Sequence, residues 1–253
     1  MHVLENPGFP KSSSARPRSR AVLALLLALA ACHPAPRSPA PATPVAPAPA
    51  ESPPAGPAYR IDAGRSEIRI LVYRAGALAR LGHNHVIVSR ALAGEVRLAT
   101  AADTGETGGA GFDVSFPVAT LIVDEPALRA EEGSEFATQP TPADVEGTRK
   151  NMLGPGVLDA ANSPTVRVYG LTSAASGSPS AHAMLVVRGH VTPVEVPLTV
   201  VAQDGRLTVS GGFGVAQTAL GLTPFSVALG ALTVRDGLEI RFRIVAVPAV
   251  PAG

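Results

Sequence analysis

The sequence predicts an all-β fold with one short helix: an antiparallel sheet of about eight strands, closed as a barrel or packed as a sandwich. Three observations predict it. Hydrophobicity alternates with a period of two in segment after segment of residues 58–247, Asp-Gly dipeptides punctuate the segments, and helical spacing occurs once. In residues 67–74, Ile68, Ile70 and Val72 alternate with Glu67 and Arg69, giving a strand with one apolar and one wet face. Val96 and Leu98 alternate with Glu95 and Arg97 in residues 94–99, and Phe112, Val114 and Phe116 with Asp113 and Ser115. The helix follows: Thr141-Pro142-Ala143-Asp144 has capping-box order with proline at the first helical position, and Val145, Arg149, Met152 and Leu153 follow at helical spacing. Gly154-Pro155-Gly156 stops it. Alternation resumes in residues 183–189, 194–202, 206–213 and 238–247, the last with Leu238, Ile240, Phe242 and Ile244 opposite Glu239, Arg241 and Arg243. Asp204-Gly205 and Asp236-Gly237 read as the hairpin turns beside these strands. The apolar parity places Ile70, Val72, Phe112, Val114, Phe116, Val187, Leu207, Phe213, Ile240 and Phe242 on one shared interior.

The remainder of the chain reads differently. Arg16, Arg18 and Arg20 precede an apolar run from Ala21 to Ala31, too short to stay across a bilayer, so residues 1–31 read as a secretory leader. The run ends Leu29-Ala30-Ala31-Cys32, and Cys32 is the only cysteine, so no disulfide can form within the chain. This arrangement resembles the lipobox of bacterial lipoproteins. The resemblance implies cleavage before Cys32, palmitate-type acylation there, and a lipid anchor on a cell-envelope membrane facing the periplasm or the exterior. Residues 33–57 hold ten of the chain's 25 prolines, mixed with alanine, and predict a polyproline II tether of roughly 3.1 Å per residue. Residues 32–57 are therefore anchor and tether, and residues 58–248 the folded domain.

Composition narrows the function. Residues 58–253 carry 16 Lys and Arg against 18 Asp and Glu, which lacks the basic footprint of a nucleic-acid binder. The absence of tryptophan also argues against a base-stacking platform. No enzyme signature stands out, and no cofactor is expected: there is no Gly-x-Ser-x-Gly elbow, and the one thiol is assigned to the anchor. Gly211-Gly212-Phe213-Gly214 fits a bulge or a close backbone approach better than a nucleotide loop.

His83-Asn84-His85 is the dense polar constellation of the domain. In extended chain the two imidazoles point to one face and could chelate a metal or serve a haem-binding redox accessory. Counting favours a polar loop or barrel-mouth patch, because a closed zinc site needs four ligands and a catalytic one three. His182 and His190, separated by roughly 26 Å if extended, could add at most one.

Several segments fall in the order of the YceI-like family of bacterial periplasmic lipid-binding proteins. Tyr59-Arg60-Ile61-Asp62 with Ser66-Glu67-Ile68 resembles the family's opening, and Asn151-Met152-Leu153-Gly154 with Val157-Leu158-Asp159-Ala160 and Ser163-Pro164-Thr165-Val166 its central segment. Val187–Val194 is similar to its hairpin, without the usual lysine before Pro193, and Phe213-Gly214-Val215 with Leu220-Gly221-Leu222 resembles its later strands. The resemblance implies an eight-stranded antiparallel barrel of lipocalin type that encloses an isoprenoid or other fatty-chain ligand. His83, Asn84 and His85 would then touch the ligand's head group at the rim, and the helix would pack over one side or end.

Overall fold

The computed structural model describes residues 54–100, 109–173 and 179–249; the leader, Cys32 and most of the tether lie outside the described residues. The described strands are β1 (Ala58–Ile61), β2 (Glu67–Ala75), β3 (His85–Ser89), β4 (Ala93–Leu98), β5 (Ala110–Pro117), β6 (Ile122–Val123), β7 (Thr165–Ser173), β8 (Ser180–Val187), β9 (His190–Gln203), β10 (Arg206–Ala216), β11 (Ser226–Val227) and β12 (Leu232–Pro248). Two helices accompany them, α1 (Pro126–Glu131) and α2 (Pro142–Leu153). Eight strands close a ring in the order β1, β4, β5, β7, β8, β9, β10, β12, all pairs antiparallel, with β12 returning to β1. The architecture is the expected eight-stranded barrel.

Closure rests on a broken strand. β12 pairs with β10 along one edge, and along the other with β2 from Thr233 to Arg243 and with β1 from Ala246 to Pro248. Between β1 and β2 the chain makes a tight turn at Ala63–Arg65. There the buried Ser66 hydroxyl accepts the Val245 N–H at 2.9 Å and donates to the Asp62 carbonyl at 2.7 Å. A side-chain oxygen thus replaces the ladder acceptor that the break removes.

β9 carries two prolines in mid-strand, at Pro193 and Pro197, where a missing N–H would normally be costly. Residues 190–197 pair with β8, and β10 pairs only with residues 198–203. The prolines therefore lie where β9 has lost its second neighbour. The short turn Thr218–Leu220 fills the gap, held by the Thr192 hydroxyl donating to the Ala219 carbonyl at 2.7 Å.

α2 forms as its sequence dictates: the Thr141 hydroxyl accepts from the Asp144 N–H, and the Asp144 carboxylate accepts from the Thr141 N–H. Its Met152, Val145 and Leu153 pack with Ile87, Leu92, Phe116, Leu121 and Val123 at the corner of the barrel. α1 was not expected from the sequence. It covers the outer face of β2 and β3, where Leu71, Val86 and Val88 bury themselves against Leu128 and Phe136.

Two turn assignments divide. Asp204-Gly205 does turn the β9–β10 hairpin, with φ of 50° and 71°. Asp236-Gly237 does not turn at all. It lies inside β12 beside a bulge between Val234 and Leu238. The Asp236 carboxylate accepts from the Thr218 N–H and hydroxyl, so the side chain that suggested a turn caps the gap-filling one instead.

Candidate functional site

The barrel encloses a cavity of about 660 Å³, within the range of pockets that engulf a small ligand. Nine of the ten residues placed on the interior by parity line it: Ile70, Phe112, Val114, Phe116, Val187, Leu207, Phe213, Ile240 and Phe242. The tenth, Val72, packs at the adjoining core corner near Ile87 and Val123. Register explains the convergence, since Ile68 faces Phe242 and Ile70 faces Ile240 across the β2–β12 ladder.

Among the described residues the wall carries no ionisable side chain, and its hydroxyls are those of Thr172 and Ser173. Both stand at the end where β8 begins and β9 turns into β10. At that end the lining residue Val200 is 46% exposed, so the cavity meets solvent there. At the other end Val187, Leu220 and Leu222 are buried. The interior is thus an apolar sleeve, shut at one end and tipped with hydroxyls at the other.

One glycine leaves room for an aromatic ring of the lining. Gly211 faces Phe242 across the ladder, and a Cβ at Gly211 would come within 2.8 Å of that ring. The nearest atom to that Cβ is the Pro197 carbonyl oxygen at 2.6 Å, so this part of β10 is the expected close backbone approach, with the Phe242 ring beside it. Gly170 faces Phe112 on one neighbouring strand and Ala183 on the other, and a Cβ there would collide with the His182 carbonyl oxygen.

His83, Asn84 and His85 do not line this cavity. They sit at the start of β3, and β3 pairs with β2 in the half that faces the shut end of β12. Asn84 is buried; its Oδ1 accepts the Arg74 N–H and its Nδ2 donates to the Glu135 carbonyl, each at 3.0 Å. His85 Nδ1 lies 2.6 Å from Asp124 Oδ2 and, since a carboxylate only accepts, donates to it. The other Asp124 oxygen accepts from the Val86 N–H and from Arg129, whose guanidinium also reaches the carbonyls of Asn84, Phe136 and Thr138. Asn84 and His85 fasten β3 to residues 124–138, and none of the three residues expected at a ligand's head group lines the cavity. Its partners Asp124 and Arg129 lie 39 and 45 residues away in the chain, with no local pattern to announce them.

Among the described residues no group of three or more His, Cys, Asp or Glu side chains is placed to hold a metal ion. His182 is on the outer surface with Glu195 3.2 Å from its Nε2, and His190 packs by Gly221.

Neither a protein-family model nor a curated protein sequence matches the chain. Among solved structures, BcnA of Burkholderia cenocepacia is similar, with a TM-score of 0.52 and 14% identity over 73% of this chain and 98% of that one. A YCEI protein of Campylobacter jejuni gives a TM-score of 0.41 and 9% identity over 63% of this chain and 81% of that one. The likeness to BcnA shows a shared fold.

Proposed function

We propose that the protein is a YceI-like binding protein that sequesters or carries one elongated hydrophobic molecule, an isoprenoid or fatty-chain lipid, at the bacterial cell envelope. The cavity carries this reading: a sleeve of about 660 Å³, open at one end, with no charged side chain among the described residues of its wall. Such a wall binds by burial, at roughly 2.5 kcal/mol for each 100 Å² of apolar surface removed from water. It cannot satisfy a buried polar group, so the ligand's polar end belongs at the open end beside Thr172 and Ser173. In this reading the protein acts by burial alone, since no acid or base among the described wall residues could activate the Thr172 or Ser173 hydroxyl.

Solvent extraction of the purified protein followed by mass spectrometry should release one hydrophobic species in near-equal molar amount. An empty extract from a protein that also fails to take up a fluorescent fatty-chain probe would refute the reading.

Attachment is the second part of the proposal, resting on Leu29-Ala30-Ala31-Cys32. Expression with radiolabelled palmitate should label the protein and place it in the membrane fraction, and Cys32→Ser should lose the label together with stable attachment. A Cys32→Ser protein that fractionates like the parent would remove Cys32 as the anchor.

A further inference from the structure

We propose that the shut end of the barrel docks on an anionic lipid surface through two adjoining loops, residues 76–82 and 225–232. The small hairpin of β11 and β12 projects there on a turn in which Ala228, Leu229 and Gly230 have φ of 51°, 54° and 88°. Two successive non-glycine residues in left-handed backbone are uncommon, and such backbone gathers at functional positions. Here it holds Leu229 wholly in solvent, with Val227 and Phe225 exposed beside it.

The second loop lies against the first. The Leu78 N–H donates to the Ala231 carbonyl at 2.7 Å, and a Cβ on Gly76 or Gly82 would touch Ala231 or Leu232. This loop adds Leu81, 62% exposed. Four exposed apolar side chains at one end of a barrel form a patch that calls for a partner.

Charge selects the partner. Residues 76–90 and 218–235 contain no Asp or Glu, while Arg80 is exposed in the second loop and Arg235, three residues past the first, is exposed with its guanidinium over the Tyr73 ring. The flanking Asp236 keeps its charge, favoured by the hydrogen bonds it accepts from the Thr218 N–H and hydroxyl, and lies outside both loops. Apolar tips flanked by two arginines match an interface of acyl chains beneath anionic headgroups. A second copy docking through the same loops would bring these arginines together with no carboxylate inside either loop to meet them.

The chain has no tryptophan, so Leu229→Trp in the full chain supplies a unique probe. Mixed with vesicles of phosphatidylglycerol and phosphatidylcholine, its emission should shift to the blue and escape acrylamide quenching. Pure phosphatidylcholine or added salt should reduce the effect, and Arg80→Glu with Leu81→Ser should weaken it on the order of tenfold, equivalent to about 1.4 kcal/mol. Val201→Trp, on an outer face remote from this end, should remain quenched, which separates docking of this end from attachment through Cys32 alone. Phe225→Trp reports on the same end should Leu229→Trp fail to fold. Full quenching of both tip probes on anionic vesicles would overturn the proposal. So would a blue shift that grows with protein concentration in the absence of vesicles, since it would assign the patch to a second copy.

Discussion

Arg129→Met is expected to destabilise the fold by about 3–5 kcal/mol, the usual effect of removing one partner from a buried ion pair. Arg129 is fully buried, and its guanidinium supplies the donors for Asp124 and for the carbonyls of Asn84, Phe136 and Thr138. Methionine fills similar space but takes the guanidinium donors from all four acceptors, leaving Asp124 only those of His85 and the Val86 N–H. Urea unfolding measures the loss, and a change under about 1 kcal/mol would show that water reaches the site. Asp124→Asn combined with Arg129→Met should be less harmful than the two single changes summed, because the uncompensated charge disappears. The pair also sets an acid limb. Burial pushes the Asp124 carboxyl up, but the hydrogen bond and charge of His85, the Val86 N–H and Arg129 outweigh it and hold the group below the usual carboxylate range. A lowered folded-state value means stability that is complete above the unfolded value of about 4 and drains away as pH falls through the folded one. Asp124→Asn should flatten that limb while lowering stability at neutral pH.

Ala181→Phe with Ala183→Phe is expected to expel the ligand and leave the barrel standing. Both alanines line the cavity, and Ala183 faces Gly170 across the β7–β8 ladder, so the new rings enter empty space. Ligand recovered per mole of protein should fall at least tenfold, a change of about 1.4 kcal/mol in affinity. The ligand-free protein should lose less than the roughly 1–3 kcal/mol that overpacking inflicts on a filled core. Val201→Phe, on the outer face of β9, serves as the control and should change neither quantity. Unchanged ligand content in the double variant would place the ligand elsewhere on the molecule.

The strands that could be read from the sequence are those with one wet face. β2, β4, β5, β8, β10 and the second half of β12 alternate visibly, and their parity identified nine cavity-lining residues. β3 was silent because Val86, Ile87, Val88 and Ser89 are all buried, one side in the barrel corner and the other beneath α1, which erases the period of two. Asp236-Gly237 misled because dipeptide propensity is local, whereas the bulged passage through β12 is fixed by three neighbouring strands. The real turn at Arg188-Gly189, with φ of 50° and 75°, joins β8 to β9 with a dipeptide that turn statistics rank lower. His83-Asn84-His85 was legible as a polar cluster but not as a fastening, because its meaning depends on Asp124 and Arg129, which only the tertiary fold delivers.

The way β12 closes the ring also dictates when the protein can fold. Its partners are β10, just before it in the chain, and β1 and β2, at the far end; the Ser66–Val245 bond spans 179 residues. Until β12 is in place, β1, β2 and β10 all present open edges, and the first strands of the chain wait for the last. A ribosome still holding residues 232–248 therefore holds a chain that cannot seal its sleeve. Such a chain remains threadable throughout its synthesis, and a nascent polypeptide cut short before β12 exposes the very apolar faces that the finished barrel turns inward.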